Sequence, residues 1–173
     1  MCHFAAVEHV LEFWATLAPR VSVHMSWWWP SSASKIHGDW SGELWLGGYQ
    51  CATKAGSWDL IVNCADLDYP YDQVASRFWL HIAYGDAWGP YEQNNQAISW
   101  QGRMEAALQI VLYFLTHGFR VLIHCRQGKH RASAFTVAFL YVFWCGRWSW
   151  EQAIDWVVQA RGLHRGDVRM TVI

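Results

Sequence analysis

Residues 121–133 read Val-Leu-Ile-His-Cys-Arg-Gln-Gly-Lys-His-Arg-Ala-Ser, and the rest of the chain is arranged around them. Val121, Leu122 and Ile123 make an apolar run suited to a buried strand, and a helical run follows over 131–144. Between them lie a cysteine, Cys125, a glycine, Gly128, and an arginine, Arg131, that closes the loop. A strand-loop-helix of this kind can aim several backbone N–H groups at one point, with a helix N-terminus behind them. That makes an anion site. A sulfur at the start of the loop feels the same positive field, which favours its ionised, nucleophilic form. Arg131 offers a planar fork that matches two phosphate oxygens. A nucleophile, an anion cradle and a fixed cation within seven residues are the parts of a phosphoryl-transfer site.

Cys125, five intervening residues, then Arg131, with His124 in front, resembles the cysteine-dependent protein tyrosine phosphatase superfamily. Within it the chain looks most like the compact dual-specificity phosphatases. The bland alternative is a structural cysteine at a strand end, with basic residues beside it by chance. The matching strand before the loop and helix after it weigh against that. The resemblance implies an α/β fold with a central, mostly parallel sheet of four to five strands flanked by helices. To this the sequence adds an extra N-terminal helix.

The resemblance also implies roles. Cys125 is the nucleophile, and Arg126, Gln127, Gly128, Lys129, His130 and Arg131 form the substrate-binding loop. His124 orients the loop by hydrogen bonding and helps keep Cys125 ionised. An aspartate on a loop after the third core strand is the family's general acid. Asp86 takes that role by position, since a leaving phosphoester oxygen needs a proton as the P–O bond breaks. The spacing from Asp86 to Cys125 is longer than usual in the group, so a small insertion is expected over 87–99, and Glu92 is the second candidate acid. No metal or cofactor is required, because the loop amides and Arg131 supply the positive charge.

Two positions depart from the family or qualify it. Most members place Ser or Thr after the arginine, and its hydroxyl assists the departing cysteine sulfur. Here the residue is Ala132. Ser133 lies about 100° further round a helix and is poorly placed to substitute. The phosphatases of regenerating liver also carry alanine there, so a slowed second step is expected rather than loss of activity. Secondly, Lys-His-Arg after the glycine resembles the loop of atypical dual-specificity phosphatases acting on inositol pyrophosphates. Basic residues at the first and fourth loop positions also resemble phosphoinositide phosphatases. Extra cations favour a substrate with more than one phosphate. The competing reading has Arg126 and Lys129 facing solvent or bound to structural carboxylates. The partner expected is therefore a phosphorylated protein or an inositol phosphate, with a weakly active phosphate-binding module as a further possibility.

Bulk properties agree with a globular enzyme. The chain has 173 residues, 53% apolar, with a formal net charge of −1, so global charge does not point to nucleic acid. Five cysteines, an odd number without metal-type spacing, fit a reducing cytoplasmic or nuclear compartment. No secretory signal is evident, and the longest apolar stretch, 132–145, is too short to span a bilayer. Cys64, near the end of a strand expected beside the catalytic one, is a candidate to pair with Cys125 under oxidation. A buried apolar role is the simpler reading.

The chain divides into a helical extension with a Trp-rich linker over 1–40 and a catalytic domain over 41–173. Phe4, Val7, Leu11, Trp14 and Ala18 recur at helical spacing, and Trp27-Trp28-Trp29-Pro30 reads as linker. Strands are expected over 43–46, 59–65 and 78–83. A helix is expected over 103–117, stopped by Gly118, and another after Ser149, capped with Gln152 and ending near Gly162. Residues 164–173 read as a tail without a clear role.

Overall fold

The computed structural model describes residues 33–53, 58–65, 76–82, 97–143 and 148–168. The expected N-terminal helix and the tryptophans at 27–29 lie outside the described residues.

Five strands form one sheet: β1 (Ser34–Ile36), β2 (Glu43–Gly48), β3 (Trp58–Asn63), β4 (Ser76–His81) and β5 (Arg120–Cys125). Their order is β1-β2-β5-β3-β4. All neighbours are parallel except β1, which pairs antiparallel with β2. The strand that carries the cysteine is therefore central. Parallel strands buried on both faces read as near-continuous apolar runs, which is why β3 and β5 were legible.

Side-chain alternation divides the core. Leu60 and Val62 of β3, and Val121, Ile123 and Cys125 of β5, face the larger cluster. There they meet α2 (Ala97–Thr116), α3 (Arg131–Phe143) and α4 (Trp150–Arg161) through residues such as Leu108, Val111, Phe135, Phe139 and Val157. Ile61 and Leu122 face the other way. They pack with Trp58 and with Cys51 and Ala52 of the short helix α1 (Tyr49–Thr53), while Trp45 and Trp79 close the edge. Trp45 meets Trp58 edge-on at 5.9 Å between ring centroids, and the Arg120 guanidinium lies 5.0 Å from the Trp58 ring. Several of the chain's 14 tryptophans thus cover a sheet face on which α1 is the described helix.

Element ends differ from the sequence expectations in instructive ways. β2 runs through Gly47 and Gly48, which pair in register with His124 and Cys125. Glycines are weak strand formers, so the end at residue 46 was natural to expect. β4 is a partly exposed edge strand whose pairing with β3 starts at Ser76 rather than 78. α2 starts at Ala97, six residues before the apolar periodicity becomes clear. β1 lies in the stretch expected to be linker, and its pairing takes the sheet back to Ser34. Both expected stops are left-handed glycines: Gly118 has φ 81 and Gly162 has φ 66. The expected capping box is present, with Ser149 Oγ accepting from the Gln152 amide at 3.2 Å and Gln152 Oε1 accepting from the Ser149 amide at 2.7 Å.

Candidate active site

Loop 126–130 joins the carboxyl end of β5 to the first turn of α3. Ligands bind at such strand ends in sheets of this class. The loop lies against the backbone of β2. Gly128 has φ 68, a conformation that favours glycine. A Cβ there would stand 2.3 Å from the Gly47 carbonyl oxygen and 2.7 Å from the Gly48 nitrogen. A Cβ on Gly48 would in turn meet the Gln127 carbonyl carbon at 3.2 Å. The Tyr49 amide donates to the Arg126 carbonyl at 3.2 Å. The glycine pair of β2 and the loop glycine are thus two halves of one close approach.

Cys125 is buried, and its sulfur accepts a hydrogen bond from the Gly128 amide at 3.2 Å. Arg131 is the first residue of α3 and is buried. Gly128 is buried, Lys129 and His130 are half-buried, and Arg126 and Gln127 are exposed. Ala132 and Ser133 are fully buried, and among the described residues Ser133 Oγ has no hydrogen-bond partner.

His124 is fully buried, and its Nδ1 lies 3.2 Å from the Cys125 carbonyl oxygen. A carbonyl only accepts, so Nδ1 carries the proton in this contact. Burial pushes the imidazole down to about 4, against a smaller upward pull from the Cys125 carbonyl. His124 is therefore neutral at pH 7. It can orient the loop, but it brings no positive charge to the sulfur.

Neighbouring strands brace the same corner. The Cys64 amide donates to the His124 carbonyl at 2.7 Å, and the Ala65 amide donates to Asn63 Oδ1 at 2.8 Å. Cys51, Cys64 and Cys125 are all buried. Asp86 and Glu92, the candidate acids, lie outside the described residues.

Two residues that the sequence does not announce also reach the loop. Arg161, the last residue of α4, is only 4% exposed. Its Nε donates to the Gly128 carbonyl at 3.3 Å and its Nη1 to Ser34 Oγ at 3.3 Å. Burial lowers the guanidinium below the ordinary arginine range, while Cys51 and Cys125 act in the opposite direction. It remains charged, as arginine does in proteins. An arginine in a last helical turn ordinarily reads as a dipole partner at the surface; only its burial betrays another role. The second residue is Asp167, in the 3₁₀ turn Arg165–Asp167, whose Oδ1 lies 2.6 Å from Lys129 Nζ. The region read as a featureless tail therefore touches the loop.

Among the described residues no group of three or more His, Cys, Asp or Glu side chains could hold a metal ion, and no helix is long and apolar enough to cross a membrane.

No family model matches the chain, and no curated protein matches it in sequence. Solved structures do match. Human DUSP28 is similar at TM-score 0.53 and 21% identity, over 69% of this chain and 80% of its own. The Yvh1 phosphatase domain from Chaetomium thermophilum is similar at TM-score 0.57 and 20% identity, over 82% and 91%. The PTP-2 phosphatase of Cydia pomonella is similar at TM-score 0.53 and 20% identity, over 78% and 83%. With a mostly parallel five-stranded sheet and the cysteine loop at the end of its central strand, this chain has the fold of the cysteine-dependent dual-specificity phosphatases.

Proposed function

We propose that this chain is a cysteine-dependent phosphatase that hydrolyses phosphotyrosine and phosphoserine or phosphothreonine on proteins through a phosphocysteine intermediate. The observation that carries the reading is the Cys125 sulfur under the Gly128 amide, with Arg131 at the start of the following helix. In the first step the sulfur attacks phosphorus, an S–P bond forms and the bond to the leaving oxygen breaks. Asp86 gives that oxygen its proton, a role that rests on the family resemblance. Loop amides and Arg131 hold the equatorial oxygens as charge shifts between them. In the second step water attacks phosphorus, Asp86 takes its proton, and the sulfur leaves as thiolate.

His124 is a positioning residue in this scheme. A neutral ring donating to the Cys125 carbonyl holds the strand end from which the loop departs. The inositol phosphate alternative draws on Lys129 as a second phosphate contact, and Asp167 already engages that ammonium. Phosphoproteins are the better-supported substrate.

The test is turnover of an aryl phosphate by the parent and by Cys125→Ser, followed by a panel of phosphopeptides and soluble inositol phosphates. Turnover that needs Cys125 and prefers phosphopeptides is the expected result. Equal turnover by the serine variant would remove the nucleophile from the scheme. One observation favours a second reading, a slow enzyme that mainly holds phosphorylated partners. Ala132 lacks the hydroxyl that assists the leaving sulfur, and the buried Ser133 Oγ lies one position further along the helix. Tight binding of phosphopeptides without turnover would support it.

A further inference from the structure

The loop carries more cationic side chains than one phosphate needs, and they are not equivalent. Arg131 is buried at the helix start and Arg126 is exposed. Lys129 lies between, its side chain 16% exposed, with Nζ 2.6 Å from Asp167 Oδ1; the Asp167 side chain is 19% exposed.

Asp167 is held in place independently of Lys129. Its Oδ2 accepts from the His164 amide at 3.1 Å. The preceding Arg165 is tied to α4 through Asp155 and, at 2.8 Å, through Glu151 Oε2, while Val168 beside it is buried. Partial burial raises the Asp167 carboxyl, but hydrogen bonds from Lys129 and His164 outweigh it and keep the group below the usual carboxylate range. It is therefore a fixed anion at the rim of the loop.

We infer that Asp167 is a specificity-determining residue, which turns the loop against ligands carrying a second phosphate beside the one held over Cys125. The inference rests on the phosphatase reading of the loop. A second phosphate seeking Lys129 must break a short, half-buried ion pair and then sit beside the carboxylate it displaced. Removing one partner of such a pair leaves the other charge uncompensated, and like charges at that range repel. A single phosphate meets neither cost. The basic composition of the loop thus overstates its appetite for polyphosphates, because a residue 38 positions downstream of Lys129 engages one of its cations.

Calorimetric titration with orthophosphate and with inositol hexakisphosphate tests this. In Asp167→Asn the hexakisphosphate affinity, relative to orthophosphate, should rise roughly tenfold or more, the scale of one charge-assisted hydrogen bond regained. The gain should vanish in the Asp167→Asn, Lys129→Met double variant. An unchanged or lower ratio, or a gain that survives the second substitution, overturns the inference. Should Asp167→Asn fail to fold, Asp167→Ser takes its place: the same rise in the ratio is expected, and an unchanged or lower ratio overturns the inference. Aryl phosphate turnover by the parent is measured in parallel. Its absence counts against the phosphatase reading, whereas the affinity ratio is read without turnover.

Discussion

Gly128 and Gly47 are packed so closely that a Cβ on the former would lie 2.3 Å from the carbonyl oxygen of the latter. This contact presses the loop against β2 while the Gly128 amide points to the Cys125 sulfur. Gly128→Ala must shift backbone, and it also forces a side chain into φ 68. A cost of about 1–3 kcal/mol in stability is expected from the strained backbone alone. Aryl phosphate turnover should fall by roughly a hundredfold as the amide moves off the sulfur. Gly102→Ala is the control: it lies in a helix with nothing within 4 Å of the added Cβ. It should be stabilising by about 0.5–1 kcal/mol and leave turnover intact. Thermal melts and initial rates decide. Wild-type turnover in Gly128→Ala would mean that the close approach is not required.

Arg161 acts on the same residue, donating to the Gly128 carbonyl while the Gly128 amide donates to the Cys125 sulfur. Arg161→Met keeps the bulk and removes the donors. A drop in kcat of roughly tenfold to a hundredfold is expected from loop misplacement, with a smaller change in KM. The orphaned carbonyl should cost about 1–3 kcal/mol in stability. Arg161→Lys should recover part of kcat only, because one ammonium cannot reproduce the fork that reaches both Gly128 and Ser34. Loss of stability with kcat and KM unchanged would leave Arg161 a purely structural residue.

His124 makes a pH prediction. Its folded value, about 4, lies below the ordinary 6.5 because burial disfavours the charged ring. The unfolded chain therefore binds more protons between those values, and folding stability falls as pH drops from 6.5 toward 4. Above pH 6.5 the contribution is full and flat. The total change is on the order of 3 kcal/mol. Denaturant titrations across this window should show the slope in the parent and a flatter profile in His124→Gln. Identical slopes in both proteins would assign the acid sensitivity elsewhere.

Ala132 predicts kinetics rather than stability. With no hydroxyl following Arg131, loss of the cysteine sulfur from phosphorus should limit turnover. A rapid-quench experiment should then show a burst of product and trapped phosphocysteine. Ala132→Ser should raise steady-state turnover by roughly tenfold, within the range one positioned hydrogen bond supplies. Absence of both burst and gain would place the slow step earlier.

Arg161 and Asp167 mark the limit of what a linear reading can find. The strand ending in Cys125, the helix starting at Arg131, the capped helix after Ser149 and its stop at Gly162 all follow from local rules: apolar runs, capping pairs, glycine conformations. Each is decided within a few residues, so the residues themselves announce it. The need for glycine at 47 and 48 lies beyond such local rules, because it comes from the loop packed onto β2.

The sequence by itself determined that a sulfur, a glycine and an arginine would share one loop between a buried strand and a helix. Tertiary structure alone decided what surrounds that loop. It brought Asp167 onto Lys129, buried Arg161 against the Gly128 carbonyl, and withdrew charge from His124 by burying it. The physical reason is range. Conformational preferences act over one or two turns of chain, whereas ion pairing and desolvation depend on which distant segments the sheet order makes neighbours.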